Sequence, residues 1–165
     1  MLEGVARIAI LGSFPELPPG SSSEYLLSVP LVAVAAPEHP LAKIKGPVPR
    51  SEAARHVQLI LTDRSELTAG RQYGVFNPNG WRLADLGAKH AFLRAGLGFG
   101  GIPALMVERD IAEGALVELA IEDMPPESLF LTMSAAWRID APPGPAGRWF
   151  IDRAKAVTAQ CPEGR

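Results

Sequence analysis

The stretch HAFLRAGLGFGGIP, residues 90–103, constrains the fold most. Leu83, Leu86, His90, Leu93 and Leu97 recur at helical spacing, the pattern of an amphipathic helix with one apolar face. Asp85 near the start of that helix suits its dipole, and Gly96 suits the C′ position that ends it. FGGIP then reads as a short strand closed by Pro103. The stretch formally satisfies G-x-G-x-x-G through Gly96, Gly98 and Gly101. A dinucleotide loop, however, requires a strand before the glycines and a helix opening on them. Here a helix ends at the first glycine and a strand carries the last, so no helix N-terminus faces the loop to hold a pyrophosphate. The favoured reading is structural: Gly96 caps the helix, Gly98 turns the chain, and Gly100 and Gly101 let a strand pass close to backbone or to a ligand.

The rest of the chain alternates in the same way. VARIAIL (5–11) alternates and reads as a strand, followed by a loop by composition, GSFPELPPGSSSE. LLSVPLVAVAAP (26–37) is a continuous apolar run of the kind buried on both faces, with Pro30 marking a kink or an edge position. SEAARH reads as a short helix started by Pro49 and Ser51, and VQLILT (57–62) as a strand that ends in polar, turn-rich DRSELTAGRQYG. VFNPNGW is a second turn region. ALMVERDIAEGALVEL gives a helix ending at Gly114 and a short strand, and LFLTMSAAW (129–137) a further strand. RWFIDRAKAVTA closes the chain as a helix with Phe150, Ala154 and Val157 on one face. Strands alternating with helices predict an α/β architecture.

A length of 165 residues suffices for one sizeable domain or two small lobes, and 47% hydrophobic against 21% charged residues supports a real core. A net charge of -2, a pI of about 5.9 and scattered Lys and Arg argue against a surface that grips nucleic acid. Cys161, the single cysteine, reads as an exposed thiol in a frayed tail. The beginning of the chain lacks the pattern of a signal peptide, and the apolar run over residues 29–37 is far short of the roughly 20 residues of a membrane helix. The expectation is a cytoplasmic protein.

Catalytic signals are weak. His39, His56 and His90 show no metal spacing, H-E-x-x-H and G-x-S-x-G do not occur, and no nucleophile has a base nearby in sequence. His39 and His90 read as structural, with His90 on the apolar face of its helix, and His56 as exposed. The expectation is no enzyme, no metal and no cofactor.

The order of motifs SVPLVAVAAPEHPLA, LILTDRS and LADLGAKHAFLRAGLGFGGIP, then DIAEGALVEL, resembles the effector-binding region of LysR-type transcriptional regulators. His39, Pro40, Leu41 and Ala42 form an element typical of that family, and LEGVARIAIL is similar to a segment that normally lies inside the protein, with Arg7 where Asp is usual. The resemblance covers residues 2–156. It implies a type 2 periplasmic-binding-protein-like α/β fold: two lobes joined by crossover strands, with a small molecule between them. Residues 1–24 and 127–165 would form an incomplete lobe I, and residues 25–126 lobe II. The proline pairs at 18–19 and 125–126 would lie near the crossings as stiff hinges. It also implies a homodimer, and DNA binding only through a helix-turn-helix domain that this chain lacks. The absent part of lobe I would leave apolar surface and a sheet edge uncovered.

Ligands in open α/β sheets sit beyond the carboxyl ends of strands. Three polar segments fit: Gly12 and Ser13 after the first strand, Thr62, Asp63, Arg64 and Ser65 after LIL, and Ala84 and Asp85 at the start of the central helix. Thr68 offers a further hydroxyl. An Arg beside helix-start amides suits a carboxylate-bearing metabolite, because bidentate pairing adds orientation to energy. The expected function is ligand sensing in a LysR-family regulator with a small anionic effector. Two alternatives stand beside it: a stand-alone solute-binding protein, and a small enzyme on the same fold using Asp63 or Asp85.

Overall fold

The structure, a computed structural model, describes residues 6–12, 17–62, 75, 80–124 and 129–158. Its elements in chain order are β1 (Ile8–Gly12), β2 (Ser21–Ala35), a 3-10 turn (Pro40–Lys43), α1 (Arg50–Ala53), β3 (Leu59–Leu61), β4 (Trp81–Leu83), α2 (Leu86–Arg94), β5 (Phe99–Pro103), α3 (Ala104–Ala112), β6 (Val117–Glu118), β7 (Phe130–Arg138) and α4 (Pro145–Thr158). They fall into two compact units, Met1–Val29 with Phe130–Arg165, and Pro30–Leu129.

In the first unit, β1 pairs antiparallel with β7, Ile8 opposite Trp137 and Gly12 opposite Met133, and β7 in turn neighbours β2. Strand alternation sends Ile8, Leu26, Ala135 and Trp137 to one face, where they pack with Ile151 and Ala154 of α4. Gly147 lets α4 approach β1: a Cβ there would come within 2.8 Å of Ile8 Cδ1. On the flank of α4 nearer β2, Arg148 donates Nη1 and Nη2 to the two carboxylate oxygens of Glu24 at 2.5 and 2.9 Å. Lys155 Nζ adds a third bond at 2.5 Å. The bonds from Arg148 and then Lys155 hold the Glu24 carboxyl well below its usual range, at about 2.

In the second unit, the latter half of β2 pairs antiparallel with β5 and β6, Val34 facing Gly100 on one side and Glu118 on the other. β3 and β4 form a parallel pair, Leu59 opposite Trp81 and Leu61 opposite Leu83. One cluster on this unit joins Ala33, Leu41, Val48, Phe99 and Ile121; another joins Val34, Leu59, Leu93, Ile102, Val107 and Leu116. The strands β3 and β5 run so close that a Cβ on Gly98 would lie 2.4 Å from the Val57 carbonyl oxygen, and one on Gly100 2.5 Å from that of Leu59. Gly96 has φ +71° and follows the C-cap Ala95.

Several sequence expectations change. Ser21–Glu24, read as loop, opens β2 instead, because pairing with β7 overrides the poor strand preference of serine. Trp81–Leu83, whose last residue the helical spacing includes, is strand β4. Gly98 and Gly100, and not Gly101, make the close backbone approach; a Cβ at Gly101 meets nothing within 4 Å. On α4 the core face is Ile151 and Ala154, while Phe150 and Val157 stay exposed. Pro18 and Pro19 precede β2 in the first unit. Pro125 and Pro126, like Cys161, lie outside the described residues.

Candidate functional site

The polar strand end predicted after β3 is built by the parallel β3–β4 pair. Thr62 continues the ladder: its N–H donates to the Leu83 carbonyl at 2.8 Å, and its hydroxyl donates to the same oxygen at 3.4 Å. The chain then turns through exposed Ala84 into Asp85, the N-cap of α2, whose Oδ1 accepts from Ala88 N at 2.6 Å. Thr62, Ala84 and Asp85 therefore sit together where two strands end and a helix begins. The Asp85 carboxylate is committed to capping, so its role here is to fix the first turn of α2. The amides of Leu86 and Gly87 belong to that first turn and have no acceptor within the helix.

Packing behind this end holds α2 in place. Lys89 is only 4% exposed, and its Nζ donates to the Gly101 carbonyl at 2.6 Å. Burial pushes its pKa down from the usual lysine range to about 8. His90, read as structural, is partly exposed and paired: its Nε2 lies 2.5 Å from Asp110 Oδ2 on α3, and Arg94 Nε lies 3.4 Å from the other oxygen. His39 is buried and caps the 3-10 turn, its Nδ1 accepting from Leu41 N at 3.2 Å. Burial, and then neighbouring His56, lower the His39 pKa. His56, expected to be exposed, is half-buried, with Nε2 3.2 Å from Glu52 Oε1 and its ring 5.2 Å from that of His39.

Of the remaining predicted site residues, Gly12 ends β1 in the first unit. Ser13, Asp63, Arg64, Ser65 and Thr68 lie outside the described residues. Two open depressions of about 370 and 320 Å³ occur elsewhere in the second unit, one along β2 and β6, the other beside Glu38, His39 and Arg94; no predicted site residue lines either. Sequence reasoning missed the Leu83 carbonyl as the partner of Thr62, and missed Lys89. The Asn79-Gly80 pair just before β4 was the available sign that a strand starts there. Among the described residues, no three His, Cys, Asp or Glu side chains cluster as metal ligands, and no helix is long and apolar enough to cross a membrane.

The model of the LysR substrate binding domain family matches residues 2–159. No curated protein matches the chain. Among solved structures, the chain is similar to the regulatory domain of MetR, a LysR family regulator from N. meningitidis, with a TM-score of 0.73 and 21% identity over 98% of this chain and 75% of that one. It is also similar to the Synechocystis CcmR regulatory domain in complex with 2-PG, with a TM-score of 0.69 and 19% identity over 98% and 77%. Against the CrgA regulator of N. meningitidis, at a TM-score of 0.66 and 20% identity, it covers 96% of itself and 54% of that chain. The fold is type 2 periplasmic-binding-protein-like, in agreement with the sequence expectation. With a family match over nearly its whole length, the chain belongs to the LysR substrate binding domain family.

Proposed function

We propose that the chain is the sensing part of a LysR-type regulator, that it binds a small anionic metabolite without transforming it, and that it works as a homodimer in the cytoplasm. The two compact units are proposed as the lobes expected over residues 1–24 with 127–165 and over residues 25–126. The observation that carries the reading is the meeting of Thr62, Ala84 and Asp85 with the first turn of α2 at one strand end. Helix-start amides are donors that suit a carboxylate or phosphate, and the Thr62 hydroxyl joins them once it turns from the Leu83 carbonyl to the ligand. Asp63, Arg64 and Ser65 follow Thr62 directly in sequence and are proposed as the remaining contacts of this end, with Arg64 supplying the charge. Gly12 and Ser13 are proposed as effector contacts on the family resemblance. The CcmR domain, solved with 2-PG, is a precedent for a small ligand on this fold. DNA would be contacted through a separate helix-turn-helix domain.

The test is a panel of small carboxylates and phosphates screened by thermal shift, followed by calorimetry on whichever compound raises Tm. Arg64→Ala and Thr62→Val should each weaken that compound at least about tenfold, the value of one charge-assisted or buried hydrogen bond. An affinity unchanged in both variants would remove this strand end from the site.

A further inference from the structure

Lys89 stands apart from the other charges of α2. It is 4% exposed, and its Nζ donates to the Gly101 carbonyl at 2.6 Å. That oxygen bears no formal charge, and among the described residues no carboxylate pairs with the ammonium. The charged groups nearby are engaged elsewhere or lie in solvent. Asp85, one turn earlier on α2, caps the helix through Ala88 N. Asp110 of α3 is taken up by His90 and Arg94. β3 and β5 carry no charge, and Arg82 of β4 is exposed. A buried charge is ordinarily paired, because leaving water is costly for an ion that nothing offsets.

The place of this ammonium points to its partner. Beside β3, Gln58 bridges Phe99 in the parallel sense, and Gly98 and Gly100 lie against the carbonyls of Val57 and Leu59. Continuing that register sets Gly101 level with Ile60 and Pro103 level with Thr62. Nζ therefore lies about 7 Å short of the strand end where Thr62 meets α2, two residues at roughly 3.3 Å each. The helix brings Lys89 close from the other side. Its N–H donates to the Asp85 carbonyl at 3.1 Å, one turn from the first amides of α2.

We propose that Lys89 determines specificity at this strand end: its buried ammonium is the countercharge, acting through space and without contact, that selects an effector bearing a negative group there. The inference rests on the reading of this end as the effector site. Inside a packed unit, solvent and salt screen an attraction over about 7 Å only weakly. The bound anion in turn holds the proton on Lys89, so affinity follows the titration of that amine. Burial sets its pKa at about 8 without ligand. Affinity is therefore complete below pH 8 and is lost as pH rises above it.

Calorimetry on the whole chain with sulfate tests it, since the charge of sulfate stays constant from pH 7 to 10. Lys89→Met and Lys89→Gln should each weaken sulfate at least about tenfold at pH 7. Glutamine keeps a donor for the Gly101 carbonyl and lacks the charge, so it would rescue a lysine that is merely structural. In the parent the affinity should fall between pH 8 and 10, and in both variants that fall should vanish. Circular dichroism checks that each variant is folded; should Lys89→Gln lose the parent's spectrum, Lys89→Met decides. Thr62→Val reports whether sulfate sits at this end. Sulfate weakened by Thr62→Val but indifferent to both Lys89 variants overturns the inference and leaves the site reading standing. Rescue by glutamine overturns it too. Sulfate that does not bind, or that responds to none of the three variants, also overturns it, while the screen of carboxylates and phosphates decides the site reading separately.

Discussion

The two units stabilise themselves differently. Among the described residues, the Pro30–Leu129 unit holds Phe99, Leu41, Leu59, Leu93, Ile102, Leu116, Val34, Val48 and Val107 fully buried, whereas Ile151 is the large side chain so buried in the other. The first unit relies more visibly on a polar strap, Glu24 with Arg148 and Lys155, laid over a single small cluster. Among the described residues, one unit combines two buried clusters with tight backbone contacts; the other is a sheet with α4 across it. Substitutions should therefore cost most where backbone meets backbone and least where charges meet in water.

The largest effect is expected at Gly98 and Gly100. Alanine at either position would drive a methyl into a carbonyl oxygen of the β3 strand region, backbone that has little room to yield. Each should lose about 2–4 kcal/mol of stability by denaturant titration, comparable with overpacking a core. Gly101→Ala, facing open space, should fall within about 0.5 kcal/mol of the parent. Equal losses at all three positions would break the picture of a close β3–β5 contact.

Lys89 gives the next effect, and its sign is opposite. Its folded pKa is depressed to about 8 by burial, so between about pH 8 and the normal lysine value the unfolded chain binds more protons and stability rises with pH. Below pH 8 the cost of the buried charge is fully present. Lys89→Met should stabilise the chain by about 1–3 kcal/mol at neutral pH, the range for relieving a buried charge after the bond to the Gly101 carbonyl is subtracted. The gain should shrink above pH 8, as the parent lysine loses its charge. A destabilised variant would show that the bond outweighs the burial cost.

Glu24→Gln should have the smallest effect. Glu24 keeps 30% of its side chain exposed, and solvent screens its ion pairs. Its lowered carboxyl pKa contributes stability that is complete above the normal glutamate range and is lost as pH falls through about 2. The variant should thus show a slightly lower Tm at neutral pH, converging with the parent in strong acid and at high salt. A difference that persists in strong acid would mean that Glu24 acts through packing.

What was legible in the sequence was local. The Gly96 cap, the Asp85 helix start and the strands at β5 and β7 follow from neighbours within four residues or from strict alternation. What was not legible depends on distant partners. Three residues of β4 are too short for a period, and their identity as strand comes from β3, about twenty positions earlier. The inward face of α4 is chosen by where Glu24 and Ile8 lie, which no helical pattern encodes. At the site, Asp85 could be placed from its capping role, but the bond of Thr62 to the Leu83 carbonyl needed the parallel pair.

Lys89 has a further use. A sealed amine whose proton is already loosened reacts with an acylating reagent only during the moments when α2 lifts from β5. Near pH 9 its modification rate would therefore clock the breathing of the Pro30–Leu129 unit, using a reporter that the chain carries without any added label.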